Sequence, residues 1–223
     1  MVWLPRWGCD GMITSSQKLL MARAGAGGSI VGLVGYAETK VTSATNSIDI
    51  DVSGLNIQSG DVGIFICGMH SGATNQPSGW TADNQGSRAE SAHITFSGGE
   101  TTVNFTGSNM DDGVGTVFVY RGYTFTSYAV QLNFSGMPNP PSASVSSGDK
   151  VFIFGGIDDD ILTMTAPSGY SLILADSVGV QETGMSYASS EKDITASGTE
   201  DPAAFGGAGS DINLGYTYVL TPA

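Results

Sequence analysis

The chain has 223 residues, enough for one sizeable β-domain, and its 32 glycines with only 13% charged residues argue against a helical bundle, whose exposed faces need long charged side chains. A net charge of −13, spread over Asp and Glu, excludes nucleic acid and an anionic membrane surface as natural partners. Cys9 and Cys67, far apart, describe neither a disulfide framework nor a zinc site, and no apolar run approaches the ~18 residues that membrane insertion as a helix requires.

Met1-Val2-Trp3-Leu4-Pro5-Arg6-Trp7 lacks the basic, apolar and small-residue order of a signal peptide, and Met12 is an equally good start, so residues 1–11 read as an upstream extension. Thr14-Ser15-Ser16-Gln17 reads as a capping box, in which hydroxyl and amide satisfy free N–H groups at a helix start. A short helix is expected through Lys18 to Ala24, ended by Gly25-Ala26-Gly27-Gly28. So short a helix is marginal alone in water, and Leu19, Leu20 and Met21 need a surface, on their own domain or on another subunit to which they dock. The chain therefore divides into an N-terminal extension with a docking helix, 1–31, and a single β-sandwich domain, 32–223.

From Gly32 the period becomes two. Ile48, Ile50 and Val52 alternate with Asp49, Asp51 and Ser53, the pattern of a strand with one wet face, and similar alternation marks Ala92 to Phe96, Val103 to Phe105 and Val130 to Phe134. Ile64-Phe65-Ile66-Cys67, Val117-Phe118-Val119-Tyr120, Val151-Phe152-Ile153-Phe154 and Tyr216-Thr217-Tyr218-Val219 are apolar or aromatic on both faces, as central strands covered on each side are. Cys67 reads as a small core residue. About ten strands are expected.

An internal repeat organises these strands. Ser59-Gly60-Asp61 before Ile64-Phe65-Ile66 returns as Ser147-Gly148-Asp149 before Val151-Phe152-Ile153, and Pro77-Ser78-Gly79-Trp80 returns as Pro167-Ser168-Gly169-Tyr170. Each unit, near 55–122 and 143–220, continues to a small-residue strand and an aromatic strand. The expected fold is all-β: a jelly-roll-like antiparallel sandwich of two related four-stranded halves, with a short N-terminal helix. Trp80 and Tyr170 leave their turns at equivalent places; they either cap the core or offer a ring for stacking on a sugar.

The succession of Ser-Gly-Asp, apolar strand, Pro-Ser-Gly-Trp, small-residue strand and Val119-Tyr120-Arg121-Gly122 resembles a group of phage virion proteins, and Ser16 to Gly28 is similar to the leader of many tail-associated proteins. The second half departs from it with Tyr218-Val219-Leu220. The resemblance implies a non-enzymatic component of the virion, tail- or baseplate-associated, contacting other virion proteins or the host surface and assembled as a homo-oligomer, a trimer by preference. Capsid decoration or a head fibre is the alternative within that class. A carbohydrate-binding module or glycan hydrolase using Trp80 and Tyr170 is the alternative outside it.

Residue types give little chemistry to set against this. His70 and His93 are the two histidines, read as solvated or hydrogen-bonded groups. No Gly-x-Ser-x-Gly nucleophile elbow is present, and Gly25-Ala26-Gly27-Gly28 lacks the Lys-Ser/Thr of a phosphate loop. No cofactor is expected. Asp158, Asp159 and Asp160, with Asp111-Asp112 in the matching region of the first half, are candidate oxygen ligands for calcium, but without the alternating spacing that turns such ligands inward.

Overall fold

Strands that are apolar at every position must be covered on both faces, and the computed structural model, which describes residues 14–18, 31–85, 89–158 and 161–223, meets that demand with three apolar clusters. The strands are β1 (Thr14–Lys18), β2 (Gly32–Val41), β3 (Thr45–Asp51), β4 (Val62–Asn75), β5 (Thr81–Gln85), β6 (Ala89–Thr95) and β7 (Thr102–Arg121), followed by β8 (Tyr123–Asn133), β9 (Ala143–Val145), β10 (Lys150–Asp158), β11 (Ser171–Val178), β12 (Met185–Asp193), β13 (Gly198–Glu200) and β14 (Asn213–Pro222). One antiparallel sheet runs β1-β2-β7-β4-β6-β5, with β3 also on β7; a second runs β11-β12-β10-β14-β8; β13 and β9 form a small ribbon.

The two large sheets face each other across the cluster of Ile64, Ile66, Phe118 and Tyr120 from the first and Phe152, Phe154, Tyr216 and Tyr218 from the second. The alternate residues of the same strands, Phe65 and Val117 in one sheet and Val151 and Ile153 in the other, point outward into separate clusters. Outside the first sheet that cluster is closed by Ile48 and Ile50 of β3 and by Val103 and Phe105 of β7. Outside the second it is closed by Val145, Met164, Ile194 and Phe205. β7 can serve both its sheet and this cover because its ladder with β4 breaks between Ser71 and Ala73, where Asn109 and Asp112 adopt left-handed backbone conformations.

Both Ser-Gly-Asp segments fold as the same turn. Gly60 and Gly148, at φ 91° and 97°, occupy the region open to glycine, as expected. Asp61 Oδ2 accepts the Gln58 N–H at 2.8 Å and Asp149 Oδ2 the Ser146 N–H at 2.7 Å, while the backbone N–H groups of Phe96 and Ile194 bond to the carbonyls of Asp61 and Asp149. The acids differ in their outer partner. Asp61 receives Arg121 through Nε at 2.8 Å and a second guanidinium nitrogen at 2.7 Å, whereas Asp149 receives only the Thr221 hydroxyl, at 2.9 Å.

Two expectations are corrected. Thr14–Lys18 is a strand paired with Tyr36–Lys40 of β2 in place of a helix start: the ladder to β2 satisfies backbone groups that a capping box would otherwise serve. The remainder of the expected helix, including Leu19, Leu20 and Met21, lies outside the described residues. A jelly roll passes successive strands between its sheets, but here β1 to β7 stay in the first sheet and β8, β10 to β12 and β14 in the second, because each strand finds its ladder partners within its own unit and the chain passes between the large sheets once, at Gly122.

Tyrosine hydroxyls cross the buried space between the sheets. Tyr120 donates to Glu191 Oε2 at 3.1 Å, Tyr187 to Glu38 Oε2 at 3.0 Å and Tyr218 to Asp83 Oδ2 at 3.1 Å. Removing the Tyr218 hydroxyl with Tyr218→Phe is expected to lower stability by about 1.5–3 kcal/mol in urea unfolding, since the carboxylate it serves stays buried. Asp61→Ala is expected to cost about 3–5 kcal/mol by leaving the Arg121 guanidinium unpaired, and Asp149→Ala about 1–3 kcal/mol. Equal losses in the same assay would show that the arginine pair carries no extra weight.

Candidate functional site

The residues singled out from sequence do not converge on one place. Asp158 ends β10, with its Oδ1 3.1 Å from His70 Nδ1 on β4, so the pair is an inter-sheet tie. Asp159 and Asp160 lie outside the described residues, and Asp111 and Asp112 fall within β7. Among the described residues no three His, Cys, Asp or Glu side chains are grouped to hold a metal ion. Trp80 is half-buried, its ring in T-shaped contact with Phe65 and Phe96 at centroid distances of 6.2 and 5.6 Å, so it packs against the outer cluster of the first sheet. Tyr170 donates to Glu200 at 3.0 Å and carries the Lys192 ammonium 5.5 Å from its ring centre, so its ring is engaged as well.

The structure gathers other groups that sequence left apart. His93 Nδ1 bonds to Asp83 Oδ1 at 2.6 Å, and its ring stacks on Phe125 at a centroid distance of 3.6 Å. Asp83, with 1% of its side chain exposed, spends its second oxygen on Tyr218. With both carboxylate oxygens engaged and one imidazole face covered, this constellation ties β5 and β6 to β8 and β14 as a structural joint.

Beside it, at the β8 edge of the inter-sheet space, lies a cavity of about 590 Å³. Its walls include Gly68 and Ala89 from the first sheet and Val130, Leu132, Gly156 and Met185 from the second, with Phe134 and Ile212 exposed at the rim. The polar groups that reach it are mostly neutral: Asn84, whose amide donates to Tyr216 Oη at 3.2 Å, and Asn213, whose amide donates to the Gly136 carbonyl at 2.9 Å. Such a lining receives an apolar body and offers few polar contacts. Cys67 also lines it, but burial pushes the thiol up to about 12, which keeps it protonated and unreactive.

Sequence reasoning missed Ala89, Val130 and Leu132 as a group because they meet only through the facing sheets. The available signal was the alternation of Val130, Leu132 and Phe134, read as a strand with one wet face. Comparison with protein-family models, curated proteins and solved structures finds no match to this chain.

Across the β4/β6 ladder Cys67 stands opposite Glu90, which is 4% exposed and whose Oε2 has no hydrogen-bond partner. Burial raises its pKa from 4.5 to about 7, so the folded state holds this proton more tightly than the unfolded chain does. The resulting stabilisation is complete below 4.5 and is lost as pH rises through about 7. Glu90→Gln is expected to remove that part of the decline, so that its melting temperature overtakes wild type between those limits in a pH series of thermal melts. Parallel profiles would contradict the assignment.

Proposed function

We propose that this chain is a non-enzymatic structural component of a phage particle, tail- or baseplate-associated, built from two related halves and assembled as a homo-oligomer. The observation that carries this reading is that the motifs bearing the resemblance are the ones that build the body. Both Ser-Gly-Asp turns make the same backbone hydrogen bonds, and both Pro-Ser-Gly turns close with an N–H from Trp80 or Tyr170 to the proline carbonyl, at 3.2 and 3.1 Å.

The sheet paths support the two related halves. β5-β6-β4-β7-β2 in one sheet matches β11-β12-β10-β14-β8 in the other, and irregularities fall at matching places, Leu33/Gly35 and Val219/Leu220, and Ala82/Asn84 and Leu172/Leu174. Among the described residues β8 pairs only with β14, and it exposes Tyr128, an edge suited to contact with a neighbouring subunit. Capsid decoration differs from tail attachment in copy number, and a glycan-binding reading would use the part of Trp80 that stays exposed.

Mass spectrometry of purified particles is expected to detect the chain, in amounts well below the major capsid protein by gel densitometry. Near-equimolar amounts would shift the assignment to decoration, and absence from particles would overturn it.

A further inference from the structure

The match between the sheets gives each inner position a counterpart, and the two ends of the inter-sheet space can be compared residue by residue. Gly68 lies as far along β4 from Asp61 as Gly156 lies along β10 from Asp149. The row through Gly68 carries Lys40 on β2, Val114 on β7 and Ala89 on β6; the row through Gly156 carries Leu132 on β8, Leu214 on β14 and Tyr187 on β12. Two positions nearer the turns, Glu38 on β2 likewise corresponds to Val130 on β8.

At the β2 end the space holds a fully buried side chain. Tyr187 fills it, donates to Glu38 and lies under the Lys40 ammonium, 5.9 Å from its ring centre; Lys40 in turn pairs with Asp176 at 2.7 Å. At the β8 end all three positions change in the same sense. The tyrosine becomes Ala89, the glutamate Val130 and the lysine Leu132, and the cavity of about 590 Å³ opens there. Where one end has a ring held at its polar end by charged groups, the other has aliphatic side chains.

We infer that this cavity is a binding site for an uncharged apolar ligand with an aromatic or short acyl body. The volume lies in the range of small-molecule sites. Among the described residues no lysine or arginine lines it, its one carboxyl group is that of Asp158, and the chain carries a net charge of −13, so an anionic head group finds no counter-ion. The site rests on the correspondence between the halves and holds wherever the protein resides.

The test is fluorescence titration of the full chain with the neutral dye N-phenyl-1-naphthylamine, with anionic 1-anilinonaphthalene-8-sulfonate as the charge control. Saturable binding of the neutral dye is expected, at least tenfold tighter than that of the sulfonate. Ala89→Tyr, which introduces the side chain of the β2 end, is expected to abolish it. Leu132→Lys changes an exposed rim position and is expected to weaken the neutral dye at least tenfold, which gives an answer should Ala89→Tyr fail to fold. Absence of saturable binding, or binding unchanged in Leu132→Lys, overturns the site, and neither result bears on whether the chain is found in particles.

Discussion

Three buried tyrosine hydroxyls constrain how the sheets can meet. Apolar contact across Ile64, Phe118, Phe152 and their neighbours is non-directional and would tolerate sliding of one sheet over the other. A phenol hydroxyl sealed from water must find an acceptor, and Tyr120, Tyr187 and Tyr218 each find a carboxylate on the opposite sheet. Burial raises the pKa of all three, so each remains a donor at any physiological pH. The sheets are thereby held in one alignment, with β12 against β2 and β14 against β5.

The same logic operates at the turns. Asp61 and Asp149 are almost fully buried, yet each lies at the entry to a central strand where backbone donors need an acceptor. Arg121 and Thr221 then tie the end of the last strand of each unit back to that acid. Short polar motifs can thus specify a large apolar body: they fix where the strands begin, and alternation along the strands decides which side chains meet.

This division explains what was legible from sequence. Features set by neighbours in the chain could be read: the two-faced apolar strands, the alternation at Ile48 and Ile50, and glycine in the Ser-Gly-Asp turns. Thr14 to Gln17 misled because a capping box and an edge strand share polar residues, and the choice falls to β2, distant in sequence. Trp80 was ambiguous for a similar reason. A signal lay in Gly63, where an added Cβ would come within 2.9 Å of the indole and 2.6 Å of Phe96, so the missing side chain makes room for the ring. The joint of Asp83, His93, Phe125 and Tyr218 had no local signature, since its members come from four strands in two sheets.

The cavity belongs to that last class and follows from the tyrosine constraint. Once the sheets are fixed, they cannot close on a position that carries only a small side chain, because closing would pull the tyrosines from their carboxylates. An apolar hollow left in this way lacks packing partners and weakens the fold. Tyr187 with Glu38 and Lys40 supplies such packing internally at one end; Ala89, Val130 and Leu132 leave it to be supplied from outside at the other. A molecule that fills the space must then stabilise the folded chain in proportion to its occupancy, so ligand binding and the cohesion of the two sheets are linked.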